Sequence, residues 1–254
     1  LDDRKHILLM TATITPQNAP NLSRTDPAER LKDYQQALSY YLEFIGKPLA
    51  GIVFVENSNS DVSTLRELVA ARGLTDKVEF VCNYGEQRYS EMGRPYGEFK
   101  LLEHAMDAAA MIRDAGAAAV VWKITGRYIV KNLRSVIAKA PAAFDVYIDM
   151  KNRPVRWMDM RLMAWTIAGY EKVFRGVADT LGKRIDEMVM RDFLPERVAK
   201  DVASGEVRLV QRFRNEPLVD GIRGFDNQNF SAGAHLVKFY VRSAGRVVAP
   251  WLWI

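Results

Sequence analysis

Apolar positions along the first two thirds of the chain switch repeatedly between two periods. Short continuous apolar runs of strand length fall at 7–10, 52–55, 78–82, 118–124 and 144–148, each followed by turn-forming or polar residues. Between them, apolar residues recur at helical spacing. Leu31, Tyr34, Leu38, Tyr41, Leu42 and Ile45 form one stripe. Asp26-Pro27-Ala28-Glu29 opens that helix, with Asp26 as cap and Pro27 at the first helical position, and Gly46 and Pro48 close it. A second helix runs through Leu65, Leu68 and Val69 to Gly73, and a third from Phe99 to Ala115, stopped by Gly116. Strands alternating with helices of this length require crossover connections. The expected fold class is therefore α/β, a Rossmann-like, mainly parallel sheet flanked by helices.

Beyond Asp149 the pattern loosens into a less regular C-terminal part. Arg153–Trp157 and Arg161–Ile167 read as short strands and Tyr170–Leu181 as a helix, while the Arg-, Gly- and Asn-rich stretch after Gly205 carries no assignable element. No repeat or composition break divides the chain, so residues 1–254 read as a single domain. The last residues, Val247 to Ile254, form an apolar tip with Trp251 and Trp253, preceded by Arg242 and Arg246. Such a tip either meets a membrane interface or folds back on protein. The expectation is that both tryptophans are at least partly buried and that any membrane contact is peripheral.

Composition narrows the classes. With 254 residues, 48% of them hydrophobic and 26% charged, the chain can bury a sizeable core and is not a disordered segment. A net charge of +5 suits anionic ligands or an anionic membrane surface. The basic residues are spread along the chain instead of clustered among aromatics, which argues against nucleic acid as partner. A single cysteine, Cys82, cannot form an internal disulfide and reads as a small strand residue. His6, His104 and His235 lack metal-ligand spacing. No run reaches the roughly 18–20 apolar residues of a spanning helix, and Leu1 to His6 show no signal-peptide pattern, so the expected location is cytoplasmic. Nucleophile-elbow, Walker and dinucleotide glycine patterns are missing from the sequence.

In an open parallel sheet, ligands bind beyond the carboxyl ends of the strands. Three polar clusters stand there. Glu56-Asn57-Ser58-Asn59 offers a carboxylate and amides that either grip a base or ribose or cap a turn. Lys123-Ile124-Thr125-Gly126-Arg127-Tyr128 puts a charge at the end of an apolar strand, next to a glycine permitting close approach and an arginine suited to phosphate. The alternative there is a structural salt bridge to Glu98 or Asp159. Tyr96-Gly97-Glu98 opens the third helix, either as a plain cap or as a partner for a sugar hydroxyl or a cation.

Together with the helix string Arg30-Leu31-Lys32-Asp33-Tyr34, these clusters resemble a group of bacterial glycosyltransferases from capsule and lipopolysaccharide gene clusters, of GT-A-like fold. The likeness spans roughly residues 7 to 190, and Lys123 to Tyr128 is its most specific part. It implies transfer of a sugar from a nucleotide-sugar donor to a glycan or lipid-linked acceptor in cell-surface polysaccharide synthesis, with residues 1–150 on the donor side and 151–254 on the acceptor side. It implies a location in the cytoplasm, including peripherally on the inner face of the membrane. Asp159, Arg161 and Glu187 fall at positions where such proteins carry polar site residues. Donor binding is then expected from Glu56, Asn57, Ser58, Gly97, Lys123, Thr125, Gly126, Arg127 and Arg161. Asp159 is the expected base, with Glu98 and Asp149 behind it. The sequence departs from the family pattern in having no Asp-x-Asp. Either a split set of carboxylates binds a divalent metal, or Lys123, Arg127 and Arg161 neutralise the leaving group directly; the second is expected, and with it no cofactor. A non-catalytic nucleotide- or sugar-binding module is the alternative reading. A nucleotidyltransferase that makes the activated sugar is a second rival, disfavoured because no Gly-rich loop bearing Arg or Lys follows the first strand.

Overall fold

The computed structural model describes residues 4–17, 22–82, 91–230 and 232–254. Its centre is a seven-stranded, mostly parallel sheet flanked by helices, an α/β fold. The strands are β1 (His6–Ala12), β2 (Gly51–Glu56), β3 (Val78–Cys82), β4 (Val120–Thr125), β6 (Val146–Lys151), β7 (Trp157–Thr166) and β8 (Leu209–Val210). Their spatial order is β3-β2-β1-β4-β7-β6-β8. Strands β3, β2, β1 and β4 run parallel, joined through α1 (Pro27–Leu42), α2 (Ser63–Ala70) and α3 (Arg94–Ala108) with its short successor α4 (Ala110–Arg113).

Strand β7 breaks the pattern, pairing antiparallel with both β4 and β6. The reason is the length of the connection. A parallel neighbour needs a crossover of a dozen or more residues, whereas only the turn 152–156 separates β6 from β7. The two strands expected at Arg153–Trp157 and Arg161–Ile167 are thus one long strand with a turn before it. Strand β6 also runs across residue 150, so the donor-side and acceptor-side halves share one sheet.

Alternate residues of the central strands feed two cores. Ile7, Leu9, Val53, Val55 and Val121 pack against α3 through Phe99, Leu102 and Ala105, and Leu8, Met10, Ile52, Phe54 and Trp122 pack against α1 through Tyr34, Leu38 and Tyr41. Asp26 caps α1 as expected, accepting from the amides of Ala28 and Glu29. The third helix starts earlier than expected, at Arg94 behind Gly93 (φ +91°), and breaks at Ala109, where the Glu79 carboxylate accepts from the amides of Ala110 and Met111. The expected helix 170–181 is two, α6 (Ile167–Val173) and α7 (Val177–Leu181), separated at Gly176 (φ +73°). Two helices, α8 (Glu187–Arg197) and α9 (Ala199–Ala203), follow; α8 packs on β7. A small antiparallel pair, β5 (Ile129–Val130) with β9 (Val219–Asp220), lies beside α1, and α5 (Leu133–Ala138) follows β5. The stretch after Gly205, which carried no assignment, ends in the long helix α10 (Gly233–Val248). No described helix is long and apolar enough to cross a membrane.

Candidate functional site

The carboxyl end of β1 organises the site. Its neighbours are β2 and β4, with Ala12 opposite Glu56 and Thr11 opposite Thr125, so the loops after all three strands converge there. The Glu56 carboxylate is fully buried and accepts from the amides of Ile14, Ser58 and Ser60 at 3.0–3.2 Å. The Ser58 hydroxyl donates to the same carboxylate and accepts from the Thr15 amide, and Asn57 accepts from the Thr13 hydroxyl at 2.7 Å. Of the two readings of Glu56 to Ser58, the structure carries the turn-forming one: the carboxylate is consumed in shaping the loop. Gly126 is forced by proximity. Its amide donates to the Thr11 carbonyl at 2.9 Å, and a Cβ there would stand 2.7 Å from the same oxygen.

Beyond β4 lies an open cluster of charges. The Lys123 ammonium, 1% exposed, pairs with the Glu98 carboxylate at 2.6 Å and donates to the Met160 carbonyl at 2.6 Å. The salt bridge to Glu98, one alternative for this lysine, is therefore present. Glu98 also accepts from the Thr11 hydroxyl at 2.8 Å, and it keeps 29% of its side chain open. Gly97 lies beside it in the first turn of α3, and Thr125 stands 3.5 Å from the Lys123 ammonium. Asp159 and Arg161 extend past the end of β4 on β7; their paired groups approach to 2.9 and 2.5 Å. The Arg161 guanidinium lies over the Phe230 ring at 4.6 Å and near Trp157 at 6.0 Å.

The proton affinities in this cluster diverge. Burial alone would raise the Asp159 pKa, but Arg161 outweighs it and holds the carboxyl down at about 2. A carboxylate so tightly held is a weak proton acceptor, which moves the expected base away from Asp159. Glu187, in the first turn of α8 behind the Asp186 cap, behaves oppositely. Burial and then the neighbouring Asp159 push its pKa up to about 7, against the pull of Arg161. Glu187 itself is solvent-exposed. A group titrating near neutrality among fixed cations is suited to proton transfer.

A second polar group flanks β1 on the α1 side. Asp33 receives a two-pronged contact from Arg24 at 2.6 and 2.9 Å, and the Arg30 guanidinium donates to the Thr13 carbonyl at 2.8 Å. Arg127 is buried here, 3.7 Å from Asp33, and donates to the Ile222 carbonyl at 3.1 Å. It anchors the segment 221–230, which also accepts from the Ser23 and Arg24 amides through Gly224 and sets Phe230 against Tyr128 and Arg161. The expected role of Arg127 as a phosphate contact thus gives way to holding this segment across the strand ends. Sequence reasoning missed Thr11, Arg24, Asp33 and Phe230 as site-shaping residues. Arg30 and Asp33 left a trace: charged residues on the buried side of an amphipathic helix, together with Tyr34, Ala37 and Leu38.

Asp149 does not join the open cluster. It is fully buried, paired with Lys151 at 2.6 Å and Arg246 at 2.8 Å, and accepts from the Phe213 amide. Burial acts to raise its pKa, and the two cations outweigh that and lower it. With its oxygens so occupied, Asp149 cannot serve as a catalytic acid or base. A divalent cation of the kind GT-A enzymes hold does not fit the described strand-end residues either. Glu98 is taken by Lys123 and Asp159 by Arg161, and among the described residues no three His, Cys, Asp or Glu side chains form a metal-binding group.

Neither a family model nor a curated protein matches the sequence. Among solved structures, the chain is similar to a Desulfovibrio desulfuricans protein described as a nucleotide-diphospho-sugar transferase, at 10% identity and a TM-score of 0.42, over 95% of this chain and 96% of the other. It is similar to the inositol-1-phosphate CTP transferase of T. maritima at 11% identity and a TM-score of 0.47, over 95% and 96%. The galactosyltransferase LgtC is similar at 9% identity and a TM-score of 0.41, over 80% of this chain and 70% of the other. At these identities and TM-scores, any functional reading rests on the site's own geometry.

Proposed function

We propose that the chain is a transferase that moves a sugar from a nucleotide-diphosphate donor to an acceptor hydroxyl at the carboxyl ends of β1 and β4 and the amino end of β7. The observation that carries this reading is the open cluster: Lys123 and Arg161, each held by a carboxylate, beside Glu187 with its pKa raised to about 7. Group transfer with an anionic leaving group needs fixed positive charge where the phosphate departs and a proton acceptor near neutrality. Arg161, 21% exposed, supplies the charge at the surface with the buried Lys123 behind it, and Glu187 takes the role first given to Asp159. As the acceptor oxygen bonds to the anomeric carbon, the bond from that carbon to the donor phosphate breaks. The acceptor proton passes to Glu187, and the leaving diphosphate carries the electron pair toward the two cations. Asp159 and Glu98 act as positioning residues that fix Arg161 and Lys123. Trp157 and Phe230 supply flat apolar surface beside Arg161 for a sugar or base. The acceptor is a glycan or a lipid-linked sugar.

The test is a thermal-shift panel of nucleotide sugars, followed by an assay of nucleotide release with the donor that binds. The expected result is stabilisation by one donor class, since binding to the folded state raises the melting temperature, and acceptor-dependent nucleotide release. Binding without release would identify a non-catalytic binding module. No stabilisation by any nucleotide sugar would remove the reading.

A further inference from the structure

Helix α10 is built inside out. Two of its arginines face the protein: Arg246 is 4% exposed and pairs with Asp149 at 2.8 Å and with Glu216, while Arg242 stands 3.6 Å from Glu216; Lys238 is exposed. Its apolar residues face solvent. Val237, Tyr240, Val241, Ala244, Val247 and Val248 recur at helical spacing along one exposed stripe, with Val247 81% and Val248 74% open. The ion pairs of Arg246 set the rotation of the helix, so this stripe cannot turn inward without stripping two buried carboxylates of a partner. The stripe continues into the tip, where Trp251 is 78% exposed, contrary to the expectation that it packs on protein. Trp253 does fold back: its carbonyl accepts from the amides of Asn152 and Arg153, and its ring lies beside Arg191 and Arg212.

At this end of the stripe a cavity of about 460 Å³ opens between the tip and the β6–β7 turn, lined by Asn152, Arg153, Arg156, Trp251, Leu252 and Trp253. Two guanidinium groups and two indoles thus border one hollow, and Val155, 49% exposed, stands in the same turn. The Arg156 guanidinium is paired with the exposed Asp192 at 2.6 Å, a contact that a phosphate would have to displace. Charge decides what fits this surface. Past Asp226 the sequence contains no acidic residue, and Lys238 stands exposed on the helix. A long apolar stripe ending in exposed tryptophan beside arginines matches the boundary of an anionic bilayer, where indoles sit at headgroup depth and guanidinium groups meet phosphates.

We infer that the α10 stripe and the Trp251 tip dock the protein on an anionic lipid surface, with Arg153 and Arg156 receiving a headgroup phosphate. This inference stands without the proposed reaction, because its readout is binding to lipid. The experiment is co-sedimentation of the full chain with vesicles of phosphatidylcholine alone and of phosphatidylcholine with phosphatidylglycerol. The native protein should bind the anionic vesicles at least about tenfold more tightly than the neutral ones. The Val241→Ser/Val248→Ser variant should lose about tenfold or more of that binding. The Arg153→Ala/Arg156→Ala variant should lose the preference for anionic over neutral vesicles. All these side chains are solvent-exposed or line an open cavity, so circular dichroism and melting temperature should match the native protein. A variant that melts early is replaced by Val247→Ser/Trp251→Ser. No binding by the native protein, or binding that survives all the variants, overturns the inference. A stable dimer in light scattering that Val241→Ser/Val248→Ser splits overturns it as well, since the stripe would then be an interface between copies.

Discussion

Two clusters of acids and bases sit near each other on β6 and β7, Asp149 lying opposite Asp159 in register, yet they are built for different ends. In the first, Asp149, Glu216, Lys151 and Arg246 are sealed, with side chains 0–6% exposed. Two carboxylates face these two cations, with Arg242 3.6 Å from Glu216 at the edge, and every charge has a partner. In the second, Glu98 and Arg161 remain 29% and 21% open; the carboxyls of Glu98 and Asp159 pair with two cations, and a third, that of Glu187, feels their field without pairing. The surplus acid is Glu187, and it is the group whose pKa rises to about 7. A matched, closed cluster can only hold parts together; here it clamps α10 and the segment around Phe213 to the sheet. An open cluster with one acid in excess can exchange a proton.

The sharpest way to break this contrast is Glu187→Gln. If Glu187 is the proton acceptor, turnover should fall by roughly 10²–10⁴, the usual worth of a general base, while donor affinity stays within about threefold. A turnover loss below tenfold would end the distinction. Next in size is Arg246→Met. Leaving Asp149 and Glu216 short of a cation should cost about 3–5 kcal/mol in urea unfolding, with donor affinity unchanged. A loss below about 1 kcal/mol would mean the sealed cluster does not clamp the fold. Arg161→Ala should do the reverse. It should weaken donor binding by about 2 kcal/mol, as for a lost charge-assisted phosphate contact, and affect unfolding much less. Calorimetric titration checks the first and urea unfolding the second.

The smallest expected effect concerns pH. Because the folded Glu187 holds its proton up to about 7, above its ordinary value, the folded state binds more protons than the unfolded one between those limits. Stability should therefore decline as pH rises through that window, and Glu187→Gln should remove the decline. Asp159 runs the other way. Held at about 2, it contributes stability that is complete above the ordinary aspartate range and is lost as pH falls toward 2. Melting temperatures at closely spaced pH values should resolve the two opposite slopes. A native curve flat from pH 4.5 to 7, matching that of the variant, would show that Glu187 is not perturbed.

What the chain decided by itself is the parallel half of the sheet and the loops that meet at its end. Period-two and period-3.6 patterns are local, so β1 to β4 and α1 could be read from runs of residues such as Ile7 to Met10 and the Leu31 to Leu42 stripe, and Lys123 stood out because a charge ending a buried strand needs a partner. Pairing across the chain is not local. Nothing near Lys123 in sequence chooses Glu98 over Asp159 as its counter-ion, and nothing near Asp149 announces Arg246, nearly a hundred residues later. The reversal of β7 came from a short turn, and the helical stripe of α10 went unread because its apolar side faces outward while its arginines face in. Which carboxylate is sealed, which is held by an arginine and which is left to titrate near neutrality depends on the summed field of groups brought together only by folding. That is why tertiary structure, and not the order of residues, separated Asp149 and Asp159 from Glu187.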